Sequence, residues 1–298
     1  MIRWNAAARY AFALALTLTL SSCGTTQPEI SLHPEVTVAA APEAAAPEAD
    51  WTSLESAVRD YAATLPVEFS VAVFDERTGE SWTFEPGTEY FEASLVKVPM
   101  LLTLFREVNE QGRELTAVEE YLATQMIRYS DNGATRQMYS HIGGAPALAA
   151  TYDLIGVSRT IPDERWGVTG TNVEDQLRIM TTLADGADWL SEGLRQYLLG
   201  LMESVDPSQA WGVSAGAVAD GAEVALKNGW LPDDDLLWNV HSVGVINAGN
   251  AKYDVAILSS GHETFADGVV VVEKVARLVY DFEKSGAIDV ADGKPAHG

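Results

Sequence analysis

Three short clusters in this 298-residue chain carry side chains able to do chemistry. Ser94-Leu95-Val96-Lys97 opens a segment with Val98, Met100, Leu101, Leu102 and Leu104, apolar enough to predict a buried helix. A serine and a lysine three residues apart share one helical face, so the amine can sit beside the hydroxyl. The hydroxyl is a weak nucleophile until a base takes its proton, and a desolvated lysine becomes such a base as its pKa falls. Taken alone the pattern also describes a polar helix face, a reading that fits poorly with the apolar residues that follow. Ser130-Asp131-Asn132, preceded by Arg128 and Tyr129, falls at the junction of two predicted helices, where all three types also make good N-caps. Lys227-Asn228-Gly229-Trp230 stands at the end of a predicted strand and could equally be a plain exit to a turn.

The elements that must position these clusters follow from periodicity. Residues 51–65 place Leu54, Val58, Tyr61 and Ala62 on one helical face. Strands at 67–74 and 80–84 flank Glu76-Arg77-Thr78-Gly79 and read as a hairpin. Helices are expected at 93–115, 116–127, 133–141, 145–154, 172–185 and 191–203, with Thr171 and Glu174 as a capping box ahead of the helix at 172–185. Strands follow at 222–227, 238–247 and 252–259, the last two joined by an Ala248-Gly249-Asn250 turn, and a helix at 266–284 closes the domain. This order implies an α+β fold: an antiparallel sheet made from both chain ends, flanked by helices, with an all-helical lobe inserted. The sheet lobe would comprise 51–92 and 206–284, the helical lobe 93–205. A cleft between lobes is a common ligand site.

Composition narrows the chemistry. There are 43 acidic and 19 basic residues, a net charge of −24, which disfavours nucleic-acid binding. The single cysteine, Cys23, excludes an internal disulfide framework and a cysteine-based zinc site. Five histidines (His33, His141, His241, His262, His297) lack metal-ligand spacing, so neither metal nor cofactor is implied. Arg3 and Arg9 precede the ten-residue apolar run 11–20, shorter than the roughly 20 residues of a membrane span. Leu20-Ser21-Ser22-Cys23 resembles the lipobox of bacterial lipoproteins. Residues 1–22 are therefore expected to be a lipoprotein signal peptide, with Cys23 lipidated. Residues 23–50, rich in Pro, Ala and Glu, would be a linker, 51–284 the folded domain and 285–298 a tail. The protein would be exported and held by its lipid anchor to the outer face of the bacterial cytoplasmic membrane, in the cell envelope.

The three clusters, in this order, resemble the Ser-x-x-Lys, Ser-Asp-Asn and Lys-Thr-Gly motifs of the class A β-lactamase and penicillin-binding protein superfamily. The resemblance spans about residues 51–284 and is most specific at Phe91-Glu92-Ala93-Ser94 through Pro99 and at residues 129–132. Trp211-Gly212-Val213 and Lys227-Asn228-Gly229-Trp230 are similar to a subgroup of bacterial lipoproteins described as β-lactamase-related serine hydrolases. The resemblance implies roles. Ser94 would attack an amide carbonyl and carry the acyl group, with Lys97 as proton acceptor. Ser130 would relay a proton to the leaving nitrogen, and Asn132 would bind the substrate's side-chain amide. Lys227, with Asn228 and Gly229, would meet a substrate carboxylate. The N–H groups of Ser94 and Trp230 would form the oxyanion hole.

The sequence also departs from the family. Asn228 replaces Thr or Ser, and an amide has different reach from a hydroxyl. The loop from Arg159 to Gly167 is short and lacks the family's Glu-Pro-x-Leu-Asn run, whose glutamate activates water. Asp163 and Glu164 are the substitutes on offer, each equally readable as a solvated carboxylate beside Arg165. No arginine follows Lys227 in the next strand, and His241 and Ser242 nearby read as packing residues. Trp166, Trp211, Trp230 and Trp238 are candidates for the cleft wall, two or more of them being better suited to the core. Acylation thus looks equipped and deacylation slow. The leading expectation is a serine acyl-hydrolase acting on a β-lactam or an acyl-D-alanine peptide of peptidoglycan. The alternatives are a D,D-peptidase or esterase with the same serine, and a non-catalytic lipoprotein that binds cell-wall peptides.

Overall fold

The computed structural model describes residues 50–291. The expected signal peptide, Cys23 and nearly all of the expected linker lie outside them. Helix α1 (Thr52–Ala62) leads into strands β1 (Glu68–Asp75), β2 (Glu80–Phe84) and the short β3 (Tyr90–Phe91). A 3-10 turn, Ala93–Val96, runs directly into α2 (Lys97–Glu110). There follow α3 (Ala117–Arg128), α4 (Asn132–His141), α5 (Gly144–Ile155), β4 (Gly170–Thr171), α6 (Val173–Asp185) and α7 (Glu192–Glu203). Strands β5 (Glu223–Pro232), β6 (Trp238–Ala248) and β7 (Ala251–His262) and the closing helix α8 (Phe265–Ala291) complete the order.

Five strands form one antiparallel sheet in the order β2-β1-β7-β6-β5, so both chain ends build it as expected. Alternate residues serve opposite faces. In β7, Val255 and Ile257 join a core with Leu54 and Val58 of α1 and Val272, Val275 and Val279 of α8. Ala256 and Leu258, pointing the other way, join a second core with Leu101 of α2, Met126 of α3, Met138 of α4 and Met180 of α6. Helix α2 is buried around its whole circumference, from Val98 through Phe105, which explains its unbroken apolar run.

Several expected boundaries and one cap differ. Helix α2 stops at Glu110 instead of 115, because Gly112 takes φ +60° and Arg113 N–H bonds back to the Val108 carbonyl, a glycine-terminated helix end. The expected Thr171/Glu174 box does not form. Asn172 caps α6, its Oδ1 accepting from Asp175 N–H at 3.0 Å, while Thr171 pairs in β4. Strand β5 runs on past Lys227 to Pro232, because Asp233 Oδ1 ties the hairpin turn by accepting from the N–H groups of Asp235 and Leu237. The Lys-Asn-Gly-Trp cluster therefore lies inside a strand. Helix α8 continues to Ala291, beyond the tail start expected at Ser285.

Candidate active site

Ser94 sits in the 3-10 turn at the head of the buried helix α2, and its position is heavily constrained. Ala93, immediately before it, has φ +50°, a left-handed conformation costing a non-glycine residue roughly 1–3 kcal/mol. Neighbouring bonds hold that strain. Glu92 N–H donates to the Thr169 carbonyl at 2.7 Å, Leu95 N–H to the Glu92 carbonyl at 3.1 Å, and the His241 Nε2 lies 2.8 Å from the Phe91 carbonyl. Burial lowers the His241 pKa to about 4, so the ring is neutral, with Nδ1 accepting from Ser259 N–H. His241 is thus a packing residue, as expected, and a clamp on the strand before Ser94. Ser242 likewise accepts from Val213 N–H at 2.9 Å.

Ser130 is also left-handed, φ +56°, at the break between α3 and α4. Asp131 caps α4, its Oδ1 accepting from Ala134 N–H at 2.6 Å. The capping and chemical readings of Ser-Asp-Asn both hold, because the cap fixes the turn that aims its two neighbours inward. Lys97 Nζ donates to Ser94 Oγ at 2.7 Å, Ser130 Oγ at 2.9 Å, Ser130 O at 2.8 Å and Asn132 Oδ1 at 3.0 Å. Lys227 Nζ reaches Ser130 Oγ from the strand side at 3.1 Å, with the Asn228 carbonyl at 2.8 Å. Four residues of the first two clusters and one of the third thus converge. Burial brings the Lys97 pKa down to about 7, opposed by the Asp131 charge. Lys227 is pushed well below its usual range by burial and by Lys97.

Gly229 works by what it lacks. A Cβ there would lie 3.1 Å from the Glu92 carbonyl oxygen and 3.2 Å from Leu95 N, so a side chain would require β5 and the Ser94 turn to part by a few tenths of an ångström. Its role is spacing. Asn228 departs from its expected part. Its side chain is buried, and Nδ2 donates to the carbonyls of Gln209 at 2.8 Å and Trp211 at 3.1 Å. It faces the chain at 209–211 and is not turned to a ligand.

Ser94 and Asn132 open into a cavity of about 260 Å³ shared with Ala93, Arg165, Trp166, Gly167, Val168, Trp230 and Leu231. A hollow of about 670 Å³ is larger, but residues of α4 alone line it (Gly133, Arg136, Gln137, Ser140, His141), away from these groups. Of the four tryptophans considered, Trp166 and Trp230 line the cavity. Trp211 and Trp238 do not, and pack with Phe265 at ring distances of 5.4 and 5.9 Å. Asp163 and Glu164 are also missing from the cavity lining. Asp163 Oδ1 accepts from Arg165 N–H at 2.7 Å and lies 3.6 Å from Arg165 Nε, so it turns back on its own loop. The loop side instead presents the Trp166 ring, 5.5 Å from Lys97 Nζ.

Two acidic residues that the motifs did not signal hold this site from behind. Glu92 is buried, with Oε1 accepting from Tyr152 OH at 2.8 Å and Gln176 Nε2 at 3.0 Å, and burial raises its pKa to about 7. An acid inside the otherwise apolar run 90–96 is the signal that was available. Asp175 closes the neck of the loop 156–172, accepting from the N–H groups of Ser158, Arg159 and Thr160 and from the Thr160 hydroxyl.

Proteins of known structure share this architecture. PBP-A is 22% identical, over 80% of this chain and 99% of its own, with a TM-score of 0.68. TLA-1 extended spectrum beta-lactamase is 16% identical, over 77% and 98%, with a TM-score of 0.69. A beta-lactamase from Chitinophaga pinensis DSM 2588 is 16% identical, over 76% and 98%, with a TM-score of 0.68. No curated protein matches the chain. A family model described as the beta-lactamase enzyme family matches residues 119–282, which include the Ser-Asp-Asn and Lys-Asn-Gly clusters. With that match over more than half its length, the shared fold, and a serine held against a buried lysine, the chain belongs to the beta-lactamase enzyme family and is a serine hydrolase of that type.

Proposed function

We propose that Ser94 attacks the amide carbonyl of a β-lactam or of an acyl-D-alanine peptide of the cell wall, and that the resulting acyl-serine is released slowly. The carrying observation is the 2.7 Å approach of a buried Lys97 amine to Ser94 Oγ. With a pKa near 7, Lys97 is half neutral at neutral pH and can accept a proton. As the Ser94 Oγ–carbonyl bond forms, the hydroxyl proton passes to Lys97. As the C–N bond breaks, Ser130 gives its proton to the leaving nitrogen and regains one from Lys97, 2.9 Å away. The N–H groups of Ser94 and Trp230 receive the developing oxyanion, and Asn132 holds the amide of the acyl side chain. Lys227 orients the Ser130 hydroxyl from the opposite side.

Slow release rests on the loop wall. No carboxylate lines the cavity, and an indole stands over the lysine where a water-activating base is needed. Export and lipidation at Cys23 belong to the same proposal, resting on the lone cysteine after the short apolar run. Labelling with a radioactive fatty acid should mark the full-length protein and leave Cys23→Ala unmarked.

Intact mass of residues 50–298 after brief penicillin exposure, followed by a drug-free chase, tests the acyl-serine. The expected result is one penicillin adduct on Ser94 that outlasts the chase and is absent from Ser94→Ala. Rapid loss with hydrolysed drug would overturn slow release, and no adduct would overturn the acyl-serine itself.

A further inference from the structure

The Asn228 side chain joins two sequence clusters into one unit. Its Nδ2 donates to the carbonyls of Gln209 and Trp211. A Cβ on Gly212, where φ is +88°, would fall 2.2 Å from Ser242 Oγ and 3.2 Å from Asn228 Oδ1. Val213 N–H then bonds Ser242 Oγ. Residues 209–213 are therefore pressed onto β5 and β6, with the Asn228 amide as the staple. A serine or threonine has only one hydroxyl donor, ending one bond nearer the strand, and cannot hold both carbonyls.

This staple has a consequence for the substrate. Ser130 faces the leaving nitrogen, so the leaving group lies against the residues that flank Ser130 from the strand: Lys227, Asn228 and the segment Asn228 holds. A carboxylate there needs donors that point at it. Both Asn228 N–H groups are committed to backbone, and its free oxygen, Oδ1, is a buried acceptor that would repel an anion. Lys227 Nζ is buried and already holds Ser130 Oγ and the Asn228 carbonyl. No arginine stands on β5, β6 or β7, and Lys252 lies at the far end of β7, paired with Asn247. The one arginine lining the cavity, Arg165, comes from the loop on the opposite wall.

We propose that Asn228 is a specificity-determining residue that removes the carboxylate anchor from the leaving-group side, so that the enzyme takes acyl donors whose leaving group is uncharged as readily as those bearing a free carboxylate. Neutral amides and esters then stand beside acyl-D-alanine peptides and β-lactams as acyl donors. This rests on acylation of Ser94 as proposed above.

The test compares penicillin G with its methyl ester, two donors differing in that charge and one methyl group, by the rate of Ser94 adduct formation in intact mass. The unmodified protein should react with both at rates within about threefold, whereas a charged hydrogen bond lost from a real anchor would cost about tenfold or more. Asn228→Thr, which restores a hydroxyl, should favour the free acid by about tenfold. A free-acid preference beyond about threefold in the unmodified protein would overturn the proposal, and this arm needs no variant to fold. An unchanged ratio in a folded Asn228→Thr would overturn the assignment to Asn228. No adduct from either donor would instead sink the acyl-serine reading, and this inference with it.

Discussion

The site has two walls built on opposite principles, a buried cluster of amines and hydroxyls behind Ser94 and the loop that lines the cavity. On one, Lys97, Ser130, Asn132 and Lys227 bring amines and hydroxyls within 3.1 Å of one another around Ser94. On the other, the loop bearing Arg165, Trp166, Gly167 and Val168 offers a guanidinium and an indole, and Asp163 turns back to Arg165. The polar wall is desolvated, and burial lowers the Lys97 pKa against the opposing charge of Asp131. The loop wall sets an indole near the lysine, and no carboxylate is among the residues lining the cavity. In the proposed reading, attack and release are served by different elements of one fold, so one can be retained while the other is lost.

Removing the base should break the polar wall most severely. Lys97→Ala should slow Ser94 acylation by about a thousandfold, the range of a general base. In the unmodified protein the rate should rise with pH through about 7 and level off above it, because only the neutral amine accepts a proton. Stopped-flow acylation across pH checks both, and a profile that rises only near 10 would place the proton elsewhere.

The loop wall should fail as a unit when its neck is cut. Asp175→Ala leaves the buried N–H groups around Thr160 without an acceptor, at about 3 kcal/mol by the cost of stranded donors. A lowered Tm and a shorter adduct lifetime are expected together. Unchanged lifetime in a destabilised variant would show that the loop does not guard the acyl group.

Behind both walls, Glu92 links the Ser94 turn to α5 and α6. An unfolded Glu92 loses its proton near 4.5, whereas the folded one keeps it to about 7. The folded state then binds more protons between those values, and stability falls as pH rises across that window. The loss is on the order of 2–3 kcal/mol. Asp254 and Glu283, raised by burial to about 8, act in the same direction, so the informative quantity is the difference from Glu92→Gln. Urea melts from pH 4.5 to 7 should show a shallower decline in the variant. Trp166→Ala is the mildest change: hydrolysis of the adduct should quicken by about tenfold while acylation changes less. Equal lifetimes would locate water exclusion in another residue.

The three clusters were legible because each combines a chemical type with a spacing that survives any packing: i and i+3 on a helix, a cap between helices, a lysine in a strand. Sheet composition and helix order were legible from periodicity. The strand end at Lys227 was misjudged because pairing with β6 continues the strand to Pro232, up to the turn that Asp233 ties. Glu92 and Asp175 were missed because their partners lie in other elements, such as Tyr152 and Gln176 for Glu92.

By itself the sequence determined the pairing of the Ser94 hydroxyl with the Lys97 amine and the α+β order of elements, since these depend on residue type and local period. Only the tertiary structure decided what surrounds them. It put Trp166 where a carboxylate was sought, turned Asp163 toward Arg165, and committed Asn228 to residues 209–211. The physical reason is shared. A side chain's donors and charge are written in its type, but whether they face a ligand or the protein's own backbone depends on which distant segment reaches them first.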